Sequence, residues 1–166
     1  MKKWKTILLY FLLLPSVVNA KEIEVSFSTT GTALDIILNT INQAKRDIHV
    51  AAYSFTSKPV SLALLEAKKR GIHIKVLADK KANGNKYTAV TFLKNHQIET
   101  CLTDHYAIMH NKFMVIDTNT VQTGSFNYSA SAAKRNAENV IVINNKDVAN
   151  AYQQEFNRFY NECLTG

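Results

Sequence analysis

The chain has 166 residues, 20 Lys+Arg against 13 Asp+Glu for a formal charge of +7, and 46% hydrophobic residues. That length leaves room for one domain with a real core and hardly for two, and no low-complexity segment or linker divides it. The basic balance favours anionic partners, nucleic acid or an anionic membrane surface, without requiring either.

The chain opens MKKWKTILLYFLLLPSVVNA, with lysines at 2, 3 and 5, an apolar run from Ile7 to Leu14, and Val18-Asn19-Ala20 before a polar segment. That is the three-part pattern of a secretory signal peptide. The competing reading is a retained membrane anchor, but the run is broken by Pro15 and short against the ~20 residues of a bilayer span. Residues 1–20 are therefore set apart as a signal and 21–166 as the domain. The three lysines of the signal take the formal charge of the remainder from +7 to +4. An exported chain would be periplasmic or secreted, where a disulfide persists. Cys101 and Cys163 are then candidates for one bridge, with two separate thiols as the alternative, and neither lies in a metal-ligand cluster.

IEVSFS alternates as a strand does, and TTGTALDIILNTINQAKR places Leu34, Ile37, Leu38 and Ile41 at helical spacing. DIHVAAYSFT reads as a strand covered on both faces. SKPVSLALLEAKKRG is a helix with Pro59 in its first turn and Gly71 as its stop, and IHIKVLAD is a further strand. Strand, helix, strand predicts parallel pairing through a right-handed crossover. After the polar, turn-rich KKANGN come a helix near 87–94, a strand near 98–102, a hairpin, a strand NVIVIN and a last helix over about 147–160. The expected fold is α/β, a single-domain mixed sheet flanked by helices.

The hairpin holds the chemistry. HNKFMVID reads as a strand and TVQTGSF as its return partner. If a two-residue loop at Thr118-Asn119 sets Asp117 opposite Thr120, then Lys112 faces Ser125 and His110 faces Asn127. Opposed residues share one face with Cβ atoms ~5 Å apart, so these side chains converge. Asp117 falls roughly 23 Å from His110 at ~3.3 Å per residue, too far to orient it, and reads as a turn acceptor. Gly124 allows another group to approach the backbone closely. A histidine, an ammonium, a hydroxyl and an amide around one point suit an anion such as phosphate.

His110, Lys112, Asp117, Gly124, Ser125 and Asn127 match H-x-K-x4-D followed by G-S-x-N. This resembles the signature of the phospholipase D superfamily. VAAYSFTS, LLEAKKRGIHIKVLAD and AENVIVI extend the resemblance over essentially all of the mature chain, toward the small single-motif bacterial endonucleases. The resemblance implies an α-β-α sandwich and an exported enzyme that cuts DNA, or RNA, without a metal or other cofactor. It implies attack by His110 on phosphorus, with Lys112 and Asn127 on the nonbridging oxygens and Ser125 in support. It places Glu138 where the family has a carboxylate on the histidine ring, although in NAEN alone Glu138 reads as a solvated residue at a strand start.

Such a reaction needs a second imidazole. His49, His73 and His96 read as structural, and His105 as a candidate substrate contact. A homodimer that places His110 of both copies at one phosphate on the two-fold axis is the expected solution. Tyr53 and Phe55 are candidates for stacking on bases, or else core and rim aromatics. Two rival functions remain: a phospholipase D-type lipid phosphodiesterase and a non-catalytic exported protein that binds nucleic acid.

Overall fold

A computed structural model describes residues 22–85 and 88–165. The segment read as a signal peptide lies outside the described residues. The strands are β1 (Ile23–Phe27), β2 (Asp47–Ala52), β3 (His73–Asp79), β4 (Glu99–Thr103), β5 (Lys112–Ile116), β6 (Thr120–Gly124) and β7 (Asn139–Asn144). The helices are α1 (Ala33–Gln43), α2 (Lys58–Lys69), α3 (Lys80–Asn83), α4 (Ala89–Asn95), α5 (Ala130–Lys134) and α6 (Lys146–Thr165). All the strands join one sheet in the order β1-β7-β6-β5-β2-β3-β4. β2, β3 and β4 run parallel, and the other neighbours pair antiparallel. The fold is therefore the mixed α/β sheet expected.

Local chemistry sets the boundaries. Ser57 caps α2 by accepting the Val60 N–H, Pro59 sits where no intrahelical donor is needed, and Gly71 follows the helix at φ +88°. The face of the sheet under α1 and α2 packs Ile37, Ile41, Leu64, Val76 and Met114. The opposite face packs Phe113, Val115 and Val121 against Phe156 of α6. β5 is buried along its whole length because it is central and covered on both sides. A disulfide joins Cys101 of β4 to Cys163 of α6, with Cα atoms 6.2 Å apart.

The hairpin differs from the expected register by one residue. Ile116 pairs with Thr120 and Phe113 with Thr123. The cause is the turn: Asp117 and Thr118 both take left-handed conformations, φ +54° and +53°, and the Asn119 N–H donates to the Ile116 carbonyl at 3.0 Å. That is the mirror-image turn whose twist suits a hairpin, but Asn119 stays unpaired in the ladder after it, so the connection is three residues long, Asp117 to Asn119, and not two. β5 also starts at Lys112, so His110 lies in the preceding loop and not on the strand.

Asp117 accepts hydrogen bonds from the backbone N–H groups of Lys45, Arg46 and Asp47, at 2.9, 2.7 and 3.0 Å. It fixes the junction of α1 and β2 to the hairpin tip, far from the histidine.

Candidate active site

The polar side chains still converge, for a reason alternation does not supply. β6 stops at Gly124, where φ is +145° and the chain leaves the ladder. Beyond it Phe126 and Tyr128 turn fully into the core, while Ser125 and Asn127 line a cleft with His110, Lys112 and Glu138. The cleft has a volume of about 490 Å³. A Cβ on Gly124 would stand 2.3 Å from the Asn139 carbonyl oxygen of β7, so the close approach at this glycine is made by the neighbouring strand.

His110 is exposed at the rim, and its ring packs against Tyr53 with centroids 4.7 Å apart and planes at 54°. Lys112 is 8% exposed; its Nζ donates to the His110 carbonyl at 2.5 Å and lies 5.4 Å from the centre of the Tyr53 ring. Burial pushes the Lys112 ammonium pKa down, and the Glu138 charge offsets part of that. Ser125 Oγ donates to Glu138 Oε2 at 2.5 Å and accepts the Asn139 N–H at 3.0 Å. Glu138 Oε1 accepts from the Asn136 amide at 2.9 Å. The resemblance implies a Glu138 bond to the His110 ring; here the carboxylate is held by Ser125 and Asn136 instead. Asn127 Oδ1 is buried without a hydrogen-bond partner among the described residues, so no internal contact locks its amide.

Other sequence candidates lie elsewhere. Phe55 is fully buried against Tyr128, with ring centroids 5.5 Å apart, and offers no face to a base. The candidate stacking role for Phe55 is thereby corrected: β2 ends at Ala52, so period-two counting no longer holds at residue 55. Tyr53 remains half-exposed beside His110. His105 lines a separate cleft with Lys80, Glu162 and Cys163, and the structure does not bring it to His110. His49 bonds Gln153 at 2.7 Å and stacks on Phe156, which is a structural role. Among the described residues no three His, Cys, Asp or Glu side chains gather as a metal site.

Two residues near the cleft escaped the sequence reading. Asp79 Oδ2 accepts the N–H of Met109, the residue before His110, at 3.0 Å, and Oδ1 accepts that of Ala82 at 2.8 Å. Asn83 Oδ1 accepts the Phe55 N–H at 2.9 Å, and its amide donates to the carbonyls of Tyr53 and Asp79 at 2.5 and 2.9 Å. The only signal was Asp79 closing a strand before a short helix, an N-cap pattern.

An exposed imidazole beside a desolvated ammonium, a hydroxyl and an unlocked amide can attack phosphorus and hold the oxygens that gain charge. Fold and site together suit an enzyme that hydrolyses phosphodiester bonds on a mixed α/β sheet. Residues 37–160 match the family model described as cardiolipin synthase, PLD-like domain, and the chain belongs to the phospholipase D superfamily. It is 33% identical over 141 residues to a phospholipase D of Rickettsia bellii, covering 85% of this chain and 70% of that one. It is 27% identical over 133 residues to the mitochondrial cardiolipin hydrolase of Xenopus tropicalis, covering 80% of this chain and 63% of that one. Among solved structures it resembles the phospholipase D family member Nuc of Salmonella typhimurium, with a TM-score of 0.81 and 33% identity. That match covers 84% of this chain and 93% of Nuc. Among the described residues no helix is long and apolar enough to cross a membrane.

Proposed function

We propose that this phosphodiesterase is an exported, metal-independent endonuclease that cleaves DNA, with RNA as the alternative nucleic acid, and works as a homodimer. The observation that carries the reading is the exposed His110 ring beside the desolvated Lys112 ammonium, in a cleft that also receives Asn127 and Ser125. A ring nitrogen of His110 attacks phosphorus, forming an N–P bond as the P–O bond to the leaving strand breaks. The leaving oxygen takes a proton from the imidazole of a second copy. Water, giving its proton to that imidazole, then attacks phosphorus and releases His110. Lys112 and Asn127 hold the nonbridging oxygens, Ser125 supports them, and Glu138 sets the charge of the cleft.

A second copy is needed because the structure brings no other histidine of the chain to His110. Apolar Ile23, Val25 and Phe27, 54%, 55% and 49% exposed along β1, support a contact between copies. Phe27 pairs with Asn139, next to Glu138 of the cleft, so such a contact would lie beside the site. The relatives named phospholipase D and cardiolipin hydrolase favour one second reading, a lipid phosphodiesterase.

Side-by-side assays on plasmid, single-stranded DNA, RNA and anionic phospholipid vesicles, each with and without chelator, test the proposal. The expected result is chelator-resistant cleavage of nucleic acid. Cleavage of phospholipid alone would favour the second reading, and activity abolished by chelator and restored by magnesium would overturn the metal-free scheme.

A further inference from the structure

The four-residue helix α3 follows β3 immediately and carries two buried polar side chains whose bonds leave the helix. Asp79 is 3% exposed and Asn83 fully buried. An N-cap carboxylate needs one oxygen for its own helix, and Asp79 Oδ1 meets that need at Ala82. The second oxygen crosses to Met109, in the loop that ends at His110. Asn83 uses both ends of its amide on the loop after β2, through Tyr53 and Phe55, and anchors itself on the Asp79 carbonyl. Two buried side chains at the ends of one turn thus grip two loops far apart in sequence, and Tyr53 and His110 stand on them with their rings 4.7 Å apart.

We infer that Asp79 and Asn83 are positioning residues for the phosphodiesterase reaction, holding the Tyr53 and His110 loops in register so that the Tyr53 ring aims the His110 imidazole. An exposed imidazole has free side-chain torsions, and attack on phosphorus requires one nitrogen on the line of the breaking bond. The Tyr53 ring restricts that freedom from one side. The same ring lies under the Lys112 ammonium, so one contact places both the nucleophile and the cation. Buried, fully used hydrogen bonds suit this task because breaking one leaves a group unpaired, and the loops have little room to drift. The inference rests on the reading of His110 as nucleophile.

The test is steady-state hydrolysis of bis(p-nitrophenyl) phosphate by Tyr53→Leu, Tyr53→Phe, Asp79→Asn and His110→Ala, with folding checked by thermal melts. Tyr53→Leu and Asp79→Asn should each lower kcat by about tenfold or more, with KM within about twofold of the unaltered chain. Tyr53→Phe keeps the ring and should recover most of the loss. The double variant Tyr53→Leu/Asp79→Asn should be little worse than either single one, because both act on one contact. If Asp79→Asn does not fold, Tyr53→Leu decides alone, since that residue is half-exposed. An unchanged kcat in Tyr53→Leu, with His110→Ala inactive, would overturn the positioning role and leave the nucleophile standing. A raised KM with unchanged kcat would overturn it in favour of substrate stacking. An active His110→Ala would remove the nucleophile and this inference with it.

Discussion

At the scale of single residues, Lys112 joins burial to function. Its burial disfavours the charged form, so its pKa in the fold lies below the ordinary lysine value. The sign for stability follows: the unfolded chain holds this proton more tightly, so the cost of charging Lys112 is relieved as pH rises through its folded pKa. For the proposed function the direction reverses, because the proposed phosphate clamp requires the ammonium and would be lost over the same window. The alkaline limb of the affinity for inhibitory phosphate should therefore fall below the ordinary lysine range and move upward in Lys112→Arg, whose guanidinium stays charged. An unmoved limb in that variant would assign the titration to another group. The members of this cluster were legible in the sequence because the motif fixes their spacing along one hairpin. Asp79 and Asn83 were not, because their partners Met109 and Phe55 lie 30 and 28 residues away and no periodicity marks such bonds.

At the scale of elements, most strands and helices could be read from apolar period and caps, and the parallel β2-β3 pair from its intervening helix. The hairpin register could not. It depends on whether the connection holds two residues or three, Asp117 to Asn119, and Asp, Thr and Asn give no decisive preference for the left-handed positions. The convergence of Ser125 and Asn127 survived the error because Gly124 takes the chain off the ladder before alternation would separate them from Lys112. The bridge between Cys101 and Cys163 was left open by sequence, since it depends on how α6 packs across the sheet. It ties the edge strand β4 to the last turns of α6 over a separation of 62 residues. Tyr106, in the loop after β4, packs against the same helix, its hydroxyl bonded to Glu162 at 2.5 Å and to Arg158 at 2.9 Å. Chain entropy for a loop of that size is roughly 4 kcal/mol, and removed disulfides commonly cost about 2–5 kcal/mol. Urea denaturation of Cys101→Ser/Cys163→Ser should show a loss in this range with an earlier midpoint, and an unchanged midpoint would mean that α6 is held by packing alone.

At the scale of the whole molecule, the motif's cleft holds a single exposed histidine among the described residues, while the proposed two-step displacement requires two imidazoles. The remaining histidines of the chain are held elsewhere: His49 against Phe156, His73 at the start of β3, His96 against Phe92 and His105 in the cleft by the disulfide. Closed two-fold symmetry resolves this without further chain, since a residue on the axis meets its own copy. Nothing in one sequence displays that symmetry, because an isologous interface is a property of two copies; the proposed interface would draw on the exposed apolar residues of β1. The most direct measurement is the plasmid-cleaving activity of dimers formed by co-expressing unaltered chain with rising proportions of His110→Ala. If every site needs His110 from both copies, activity follows the square of the unaltered proportion and an equal mixture retains about a quarter. A linear fall to about half would contradict the shared site, and no fall at all would contradict His110 as the nucleophile.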